Sequence, residues 1–139
     1  MLWEAVGRDR AGVKADRPRA RVLVVEDDQA TRMFLEEVLA LEGYAVRTAA
    51  DGAAGLAILR SWRPDAIVLD VVMPDVDAPV FRAVQFDSPE VADVPVLLLS
   101  ATRPDDLRAI ALDLGAAAWL PKPFDVDALM AAVARLAAR

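Results

Sequence analysis

The sequence predicts an α/β protein in which a parallel sheet of five strands is doubly wound, with five helices packed on its two faces. Three observations lead there. From Arg21 onward, short apolar runs rich in β-branched residues alternate with longer amphipathic stretches, with no internal repeat and no low-complexity segment. Most of the short runs are apolar throughout, the pattern of strands covered on both faces. Right-handed crossovers between parallel strands then distribute the intervening helices over both sides of the sheet.

Each element carries its own signal. Val22-Leu23-Val24-Val25 is the first strand and stops at Glu26-Asp27-Asp28. The stretch from Gln29 to Glu42 places Ala30, Phe34, Val38 and Leu41 at helical spacing and ends at Gly43, a residue suited to the left-handed position that closes a helix. Tyr44 to Ala49 alternates apolar and polar residues as a second strand. Asp51 is expected to cap a second helix running to about Trp62, with Ala54, Ile58 and Trp62 turned inward. Ala66 to Leu69 is a continuous apolar strand, fenced by Arg63-Pro64-Asp65 and Met73-Pro74-Asp75, with Asp70 at its carboxyl end. Asp77 caps a third helix, which tolerates Pro79 in its first turn and ends near Asp87-Ser88-Pro89. Val94 to Leu99 is the fourth strand and is followed by Ser100. A fourth helix begins around Arg103-Pro104-Asp105-Asp106, where acids complement the helix dipole, and runs to Gly115. Ala117 to Leu120 forms a short fifth strand leading into Pro121-Lys122-Pro123-Phe124. Asp125 caps the last helix, whose apolar face is Val126, Leu129, Met130, Val133 and Leu136.

Composition removes several kinds of chemistry. The 139 residues suffice for one domain with its own core, and they include no cysteine and no histidine. Thiolate catalysis, a Ser-His-Asp triad, imidazole acid–base chemistry and the usual zinc ligand sets are therefore excluded. The net charge is −6, although residues 1–21 hold six basic side chains against three acidic ones, so the body is more acidic than the total suggests. An acidic body argues against direct nucleic-acid binding by the folded part. No apolar run approaches the ~20 residues of a membrane span. Residues 1–20 have no apolar centre of the kind a signal peptide needs, and they read as a flexible basic extension ahead of a folded domain at 21–139, with Trp3 an incidental aromatic. The lack of cysteine fits a reducing compartment, and the chain is expected in the cytoplasm.

Ligands of wound parallel sheets bind beyond the carboxyl ends of the strands. The polar exceptions gather there by address: Glu26, Asp27 and Asp28 after the first strand, Asp70 after the third, Ser100 after the fourth and Lys122 after the fifth. Two carboxylates ~4 Å apart repel by roughly 4 kcal/mol at an effective dielectric of 20. Three acids against one lysine leave a surplus that suits a hard divalent cation, Mg²⁺ before others because it accepts few protein ligands. Beside a metal and a lysine, Asp70 stays ionised and can attack a phosphoryl group, with Ser100 donating to one phosphoryl oxygen and Lys122 pairing with another. Taken singly, Asp28 is a helix cap, and Asp75, Asp77, Asp105 and Asp106 are caps or solvated acids. Trp62 is a core or rim aromatic, and Met33, Phe34 and Phe124 are core or helix-packing residues.

Four motifs in this order, Val-Leu-Val-Val-Glu-Asp-Asp at 22–28, Asp-Val-Val-Met-Pro-Asp-Val-Asp at 70–77, Leu-Leu-Ser-Ala at 98–101 and Lys-Pro-Phe at 122–124, resemble the receiver domain of two-component response regulators. The resemblance covers residues 21–139 and implies a flavodoxin-like sheet with strand order 2-1-3-4-5. It implies that Asp70 is the phosphoacceptor, taking a phosphoryl group from the phosphohistidine of a sensor histidine kinase or phosphotransfer protein. Mg²⁺ would be held by Asp27 directly, by Glu26 through water, by Asp70 and by the backbone carbonyl of Val72. Lys122 would pair with the phosphoryl group, and the Lys122–Pro123 bond would be cis. Ser100 and Trp119 would form the switch that reshapes the face of the fourth helix, fifth strand and fifth helix for a downstream protein target or output domain. Such a protein catalyses its own aspartyl phosphorylation and dephosphorylation and turns over no separate substrate. Phosphorylation-dependent homodimerisation stays open. Three departures matter: Ala78 stands where a glycine usually follows the loop aspartate and loosens the turn into the third helix, Trp119 is bulkier than the usual tyrosine or phenylalanine, and Val72 puts an apolar side chain where others influence the hydrolysing water. The main alternative is a degenerate receiver that binds proteins independently of phosphorylation. A phosphohydrolase would carry a second acid at the position of Val72, and the acidic loop after the first strand would repel a flavin phosphate.

Overall fold

The computed structural model describes residues 20–73, 76–101 and 103–138. The expected extension, including Trp3, lies outside the described residues except for Ala20, and so does Asp75. Among the described residues ten elements alternate: β1 Arg21–Val25, α1 Gln29–Leu41, β2 Ala45–Ala49, α2 Gly52–Leu59, β3 Ala66–Asp70, α3 Ala78–Phe86, β4 Val96–Ser100, α4 Pro104–Asp113, β5 Ala118–Pro121 and α5 Val126–Ala137. The strands form one parallel sheet in the order β2-β1-β3-β4-β5, the order that the resemblance implied. Every residue of β3 and β4 is buried, as their unbroken apolar runs require.

Two cores flank the sheet. On one side Leu23, Val25, Ile67, Leu69 and Leu98 meet Phe81 of α3 and Leu107 and Ala111 of α4. On the other, Val22, Val24, Val68 and Leu99 meet Leu35 and Leu39 of α1 and Leu129, Val133 and Leu136 of α5. Side chains alternate between the faces of a strand, so neighbouring residues of one run feed opposite cores. Aspartates open four of the helices: Asp28, Asp51, Asp77 and Asp125 each accept a hydrogen bond from the backbone N–H three residues on.

The helix faces differ from expectation at three places. In α1 the buried residues are Leu35 and Leu39, whereas Ala30 is exposed, Phe34 is 43 % exposed and Leu41 79 % exposed. The helix bears two adjacent apolar stripes, and packing against Val22, Val24 and Tyr44 selects the second of them. Met33 and Phe34 are accordingly surface residues, not core. In α5, Val126 stands at the surface while Ala132 is buried.

In α2 the inward stripe is Gly52, Gly55 and Leu59, and Ala54 faces out. The helix lies so close to β1 that a methyl at Gly55 would stand 2.9 Å from Val25 Cγ2 and 3.1 Å from Phe81 Cε2. At Gly52 it would stand 2.3 Å from the carbonyl oxygen of Val76, a backbone atom of the loop leading into α3. Gly52→Ala is therefore expected to destabilise the protein by about 1–3 kcal/mol, read as a lowered urea midpoint at unchanged slope. An unchanged midpoint would show that the loop yields without cost. The helix also stops at Leu59, short of Trp62, which is buried under the guanidinium groups of Arg21 and Arg47 at 5.4 and 4.9 Å from its ring centre.

A second unforeseen feature is a buried polar clasp on α3. Arg82 donates from Nε to the carbonyl of Leu114 at 3.0 Å and from Nη2 to that of Gly115 at 3.2 Å, meeting the negative end of the α4 dipole. Its Nη1 reaches Gln85 Oε1, and Gln85 Nε2 donates to the carbonyls of Val91 and Val94 at 2.9 and 3.1 Å. The guanidinium also lies 4.2 Å from the centre of the Phe86 ring. This clasp ties α3 to the end of α4 and to the chain ahead of β4.

Candidate functional site

The carboxyl ends of β1, β3, β4 and β5 deliver Glu26 with Asp27, Asp70, Ser100 and Lys122 to one edge of the sheet. Glu26 is almost fully buried because its backbone N–H extends the ladder to the Ala49 carbonyl at 3.0 Å, keeping the residue in the sheet. Its Oε2 accepts from the backbone N–H of Asp28 at 3.0 Å. Its Oε1 lies 2.6 Å from Lys122 Nζ and has no other partner among the described residues. Asp27 is exposed at the mouth. Asp28 turns away to cap α1, accepting from the backbone N–H of Thr31 at 2.9 Å and from its hydroxyl at 2.6 Å. Asp28 is thus the helix cap expected of it, and Thr31 holds its carboxyl below the usual aspartate range.

Asp70 is the last residue of β3 and 5 % exposed. Its Oδ1 accepts from the backbone N–H of Val72 at 3.3 Å, and its Oδ2 lies 3.6 Å from Lys122 Nζ. Glu26, Asp27 and Asp70 each place a carboxylate oxygen within 4.8 Å of the others'. Burial first, then the neighbouring Glu26 carboxylate, push the Asp70 carboxyl up from 3.8 to about 7, against the pull of Lys122 and the Val72 N–H. For Lys122, burial alone would lower the pKa, but the contacts with Glu26 and Asp70 outweigh it and raise the ammonium above its ordinary value. Protein cations therefore only partly offset the crowded charge. Three hard carboxylate oxygen donors around one point suit a hard divalent ion.

The remaining predicted residues stand around this centre. Ser100 is buried at the end of β4, and its carbonyl accepts from the Lys122 backbone N–H at 2.7 Å, which fixes the two strand ends together. The Lys122–Pro123 bond is cis, as the resemblance implied. Val72 is 67 % exposed beside Asp70. Trp119, opposite Leu98 in the sheet, is half-buried and packs on the core beneath α4.

Two neighbours of the site escaped sequence reading. Arg32 of α1 donates from Nη1 to the carbonyls of Glu26 and Asp27 at 2.9 and 3.3 Å. An arginine on a polar helix face carries no signal of such a contact. The second is a groove of about 410 Å³ lined by Ala30, Thr31 and Phe34 of α1 and by Lys122, Pro123, Phe124 and Val126. The rings of Phe34 and Phe124 lie 6.4 Å apart across it. A larger groove of about 640 Å³ between α2 and α3, lined by Leu56, Leu59, Val84 and Val91 among others, contains none of the clustered acids.

A wound parallel sheet in this strand order, with acids and a lysine gathered at its carboxyl edge, defines a class of phosphoryl-accepting signalling domains. The chain belongs to the response regulator receiver domain family, whose pattern it matches over residues 22–134. It is a receiver domain of two-component response regulators. Among curated proteins it is 42 % identical over 120 residues to the response regulator MprA of Mycolicibacterium vanbaalenii, a match covering 86 % of this chain and 51 % of that protein. The MprA protein of Mycobacterium avium gives the same identity and coverage. The chain thus spans about half the length of these relatives. Among solved structures, the receiver domain of the Francisella response regulator 1452 superposes with a TM-score of 0.80 at 28 % identity, covering 87 % of this chain and 98 % of that one. The chemotaxis response regulator CheY4 of Vibrio cholerae gives 0.77 at 33 % identity, covering 84 % and 98 %. The receiver domain of sensor histidine kinase PA1611 from Pseudomonas aeruginosa gives 0.79 at 27 % identity over 86 % and 98 %, and it holds a magnesium ion in its active-site cleft.

Proposed function

We propose that residues 21–139 act as a phosphorylation-switched receiver in which Asp70 is the phosphoacceptor, residues 1–20 being an extension outside it. The observation that carries this reading is the convergence of Glu26, Asp27 and Asp70 within 4.8 Å, with Lys122 spanning two of them. An Asp70 carboxylate oxygen attacks the phosphorus of a phosphohistidine, the phosphorus–nitrogen bond breaks, and the imidazole leaves with its electron pair and takes up a proton. The product is an acyl phosphate, and the domain turns over no separate substrate. Asp27, Asp70, the Val72 carbonyl and, through water, Glu26 would hold Mg²⁺, which when bound neutralises charge on the transferring phosphoryl oxygens. Lys122 pairs with one of those oxygens and the Ser100 hydroxyl donates to another.

The donor is a sensor histidine kinase or phosphotransfer protein in the cytoplasm. The apolar groove of Phe34, Pro123, Phe124 and Val126 opens beside Lys122, where a protein bringing its phosphohistidine to Asp70 must seat. Movement of Ser100 toward the phosphoryl group, followed by Trp119, changes the α4, β5 and α5 face for a target or output domain. A binding module independent of phosphorylation has no observation in its favour, given the gathered acids and lysine. The reading is tested by intact mass after incubation with Mg²⁺ and a small acyl-phosphate donor. A single phosphoryl adduct supports it, and no adduct from either that donor or a cognate kinase sinks it.

The phosphoryl group is expected to persist. The exposed isopropyl side chain of Val72 beside Asp70 has no polar atom to orient a hydrolysing water. Autodephosphorylation should therefore be slow, and Val72→Asn should speed it, followed as decay of the adduct after removal of the donor. Decay of the wild-type adduct within seconds would overturn this.

A further inference from the structure

Arg32 makes a contact that the phosphoryl chemistry does not use. Its Nη1 donates to two consecutive carbonyls, those of Glu26 at 2.9 Å and Asp27 at 3.3 Å. These carbonyls belong to the peptide planes on either side of the Asp27 Cα. Because each plane is rigid, one guanidinium nitrogen sets both soft dihedrals of Asp27 and hence the direction in which its carboxylate leaves the backbone. Glu26 is already oriented by Asp28 and Lys122 and Asp70 by Val72, whereas Asp27 is exposed on a loop and its carboxylate meets the Asp70 carboxyl, a contact that ionisation of Asp70 on metal binding would remove.

We infer that Arg32 is a positioning residue that makes the acidic site selective for Mg²⁺ over Ca²⁺. The inference rests on the metal-site reading above. Mg²⁺ demands near-ideal octahedral geometry at short range, while Ca²⁺ accepts more ligands in looser arrangements. A carboxylate held in one direction serves the first ion, and one free to swing still serves the second. Simple electrostatics has the opposite sign. A guanidinium beside a cation site repels the cation, so neutralising Arg32 should tighten every divalent ion if charge were its only effect.

That opposition makes the test decisive. The full-length, metal-free protein is titrated calorimetrically with MgCl₂ and with CaCl₂ as wild type, Arg32→Met, Arg32→Lys and Asp27→Asn. Arg32→Met is expected to weaken Mg²⁺ by about 10-fold, the lower end for loss of a group that orients a ligand, with Ca²⁺ affinity unchanged or slightly higher. Arg32→Lys, with one ammonium for two carbonyls, should recover part of the Mg²⁺ affinity, and it stands in should the methionine variant not fold. Mg²⁺ affinity that is unchanged or higher in Arg32→Met overturns the inference, as does an equal loss for both ions. The site reading fails separately if wild type binds no Mg²⁺ or if Asp27→Asn binds it as tightly as wild type.

Discussion

Asp70→Asn is expected to abolish phosphorylation completely while leaving the fold intact. The substitution preserves size and the acceptor for the Val72 N–H, but an amide has no nucleophilic oxygen with a charge to share with phosphorus. Removing one of three crowded carboxylates also relieves repulsion with Glu26, so the variant should melt no lower than wild type in the absence of metal. Intact mass after treatment with Mg²⁺ and an acyl-phosphate donor provides the measurement, with circular dichroism as the check on folding. Wild type gains one phosphoryl group and Asp70→Asn gains none. A variant that still becomes phosphorylated would move the acceptor to another residue and end the case for Asp70.

The second large effect concerns pH and metal together. Folding raises the Asp70 pKa from 3.8 to about 7, so between those values the native state binds more protons than the unfolded chain. Stability then falls as pH rises through this window and levels off above it, a loss on the order of a few kcal/mol for a shift of this size. Asp28 works in the other direction and in another range: its carboxyl is held below 3.8, so its contribution is present above that pH and is lost only in stronger acid. Mg²⁺ held at the proposed site would bind the ionised cluster and stabilise the native state more as pH rises, which should flatten or reverse the slope. Thermal melts from pH 4 to pH 8 in chelator and in excess Mg²⁺ separate the two contributions. The chelated wild type should lose stability toward pH 7, and Asp70→Asn should not show that loss. A chelated wild type that becomes more stable over the same range would show that Asp70 is ionised without cost.

The sheet was legible because its signals are local. Unbroken runs such as Ile67-Val68-Leu69 can hardly be anything but buried strands, and Asp28, Asp51, Asp77 and Asp125 announce helix starts through hydrogen bonds that span three residues. The site residues were legible for a related reason. Strand ends in a parallel sheet share one edge, so Glu26, Asp27, Asp70, Ser100 and Lys122 can be placed together from sequence positions alone. Strand order could not be read this way; it came from likeness to a family. What failed was orientation about a helix axis. In α1 the stripe through Phe34 and the stripe through Leu35 have nearly equal claims, and in α2 two glycines face inward because Val25 of β1 with Phe81 of α3 leaves no room for a side chain at Gly55, and Val76 ahead of α3 leaves none at Gly52.

The sequence by itself therefore determined the element order, the helix starts and the edge at which the acids and Lys122 meet, since each depends on local periodicity or on the polarity of a parallel sheet. The tertiary structure alone decided which face of α1 and α2 is buried, that Lys122 sits closer to Glu26 than to Asp70, and that Arg32 and Arg82 turn back onto backbone carbonyls. Those outcomes depend on distances between segments remote in sequence. A long polar side chain reaches several such partners with similar ease, and only the packed arrangement chooses among them.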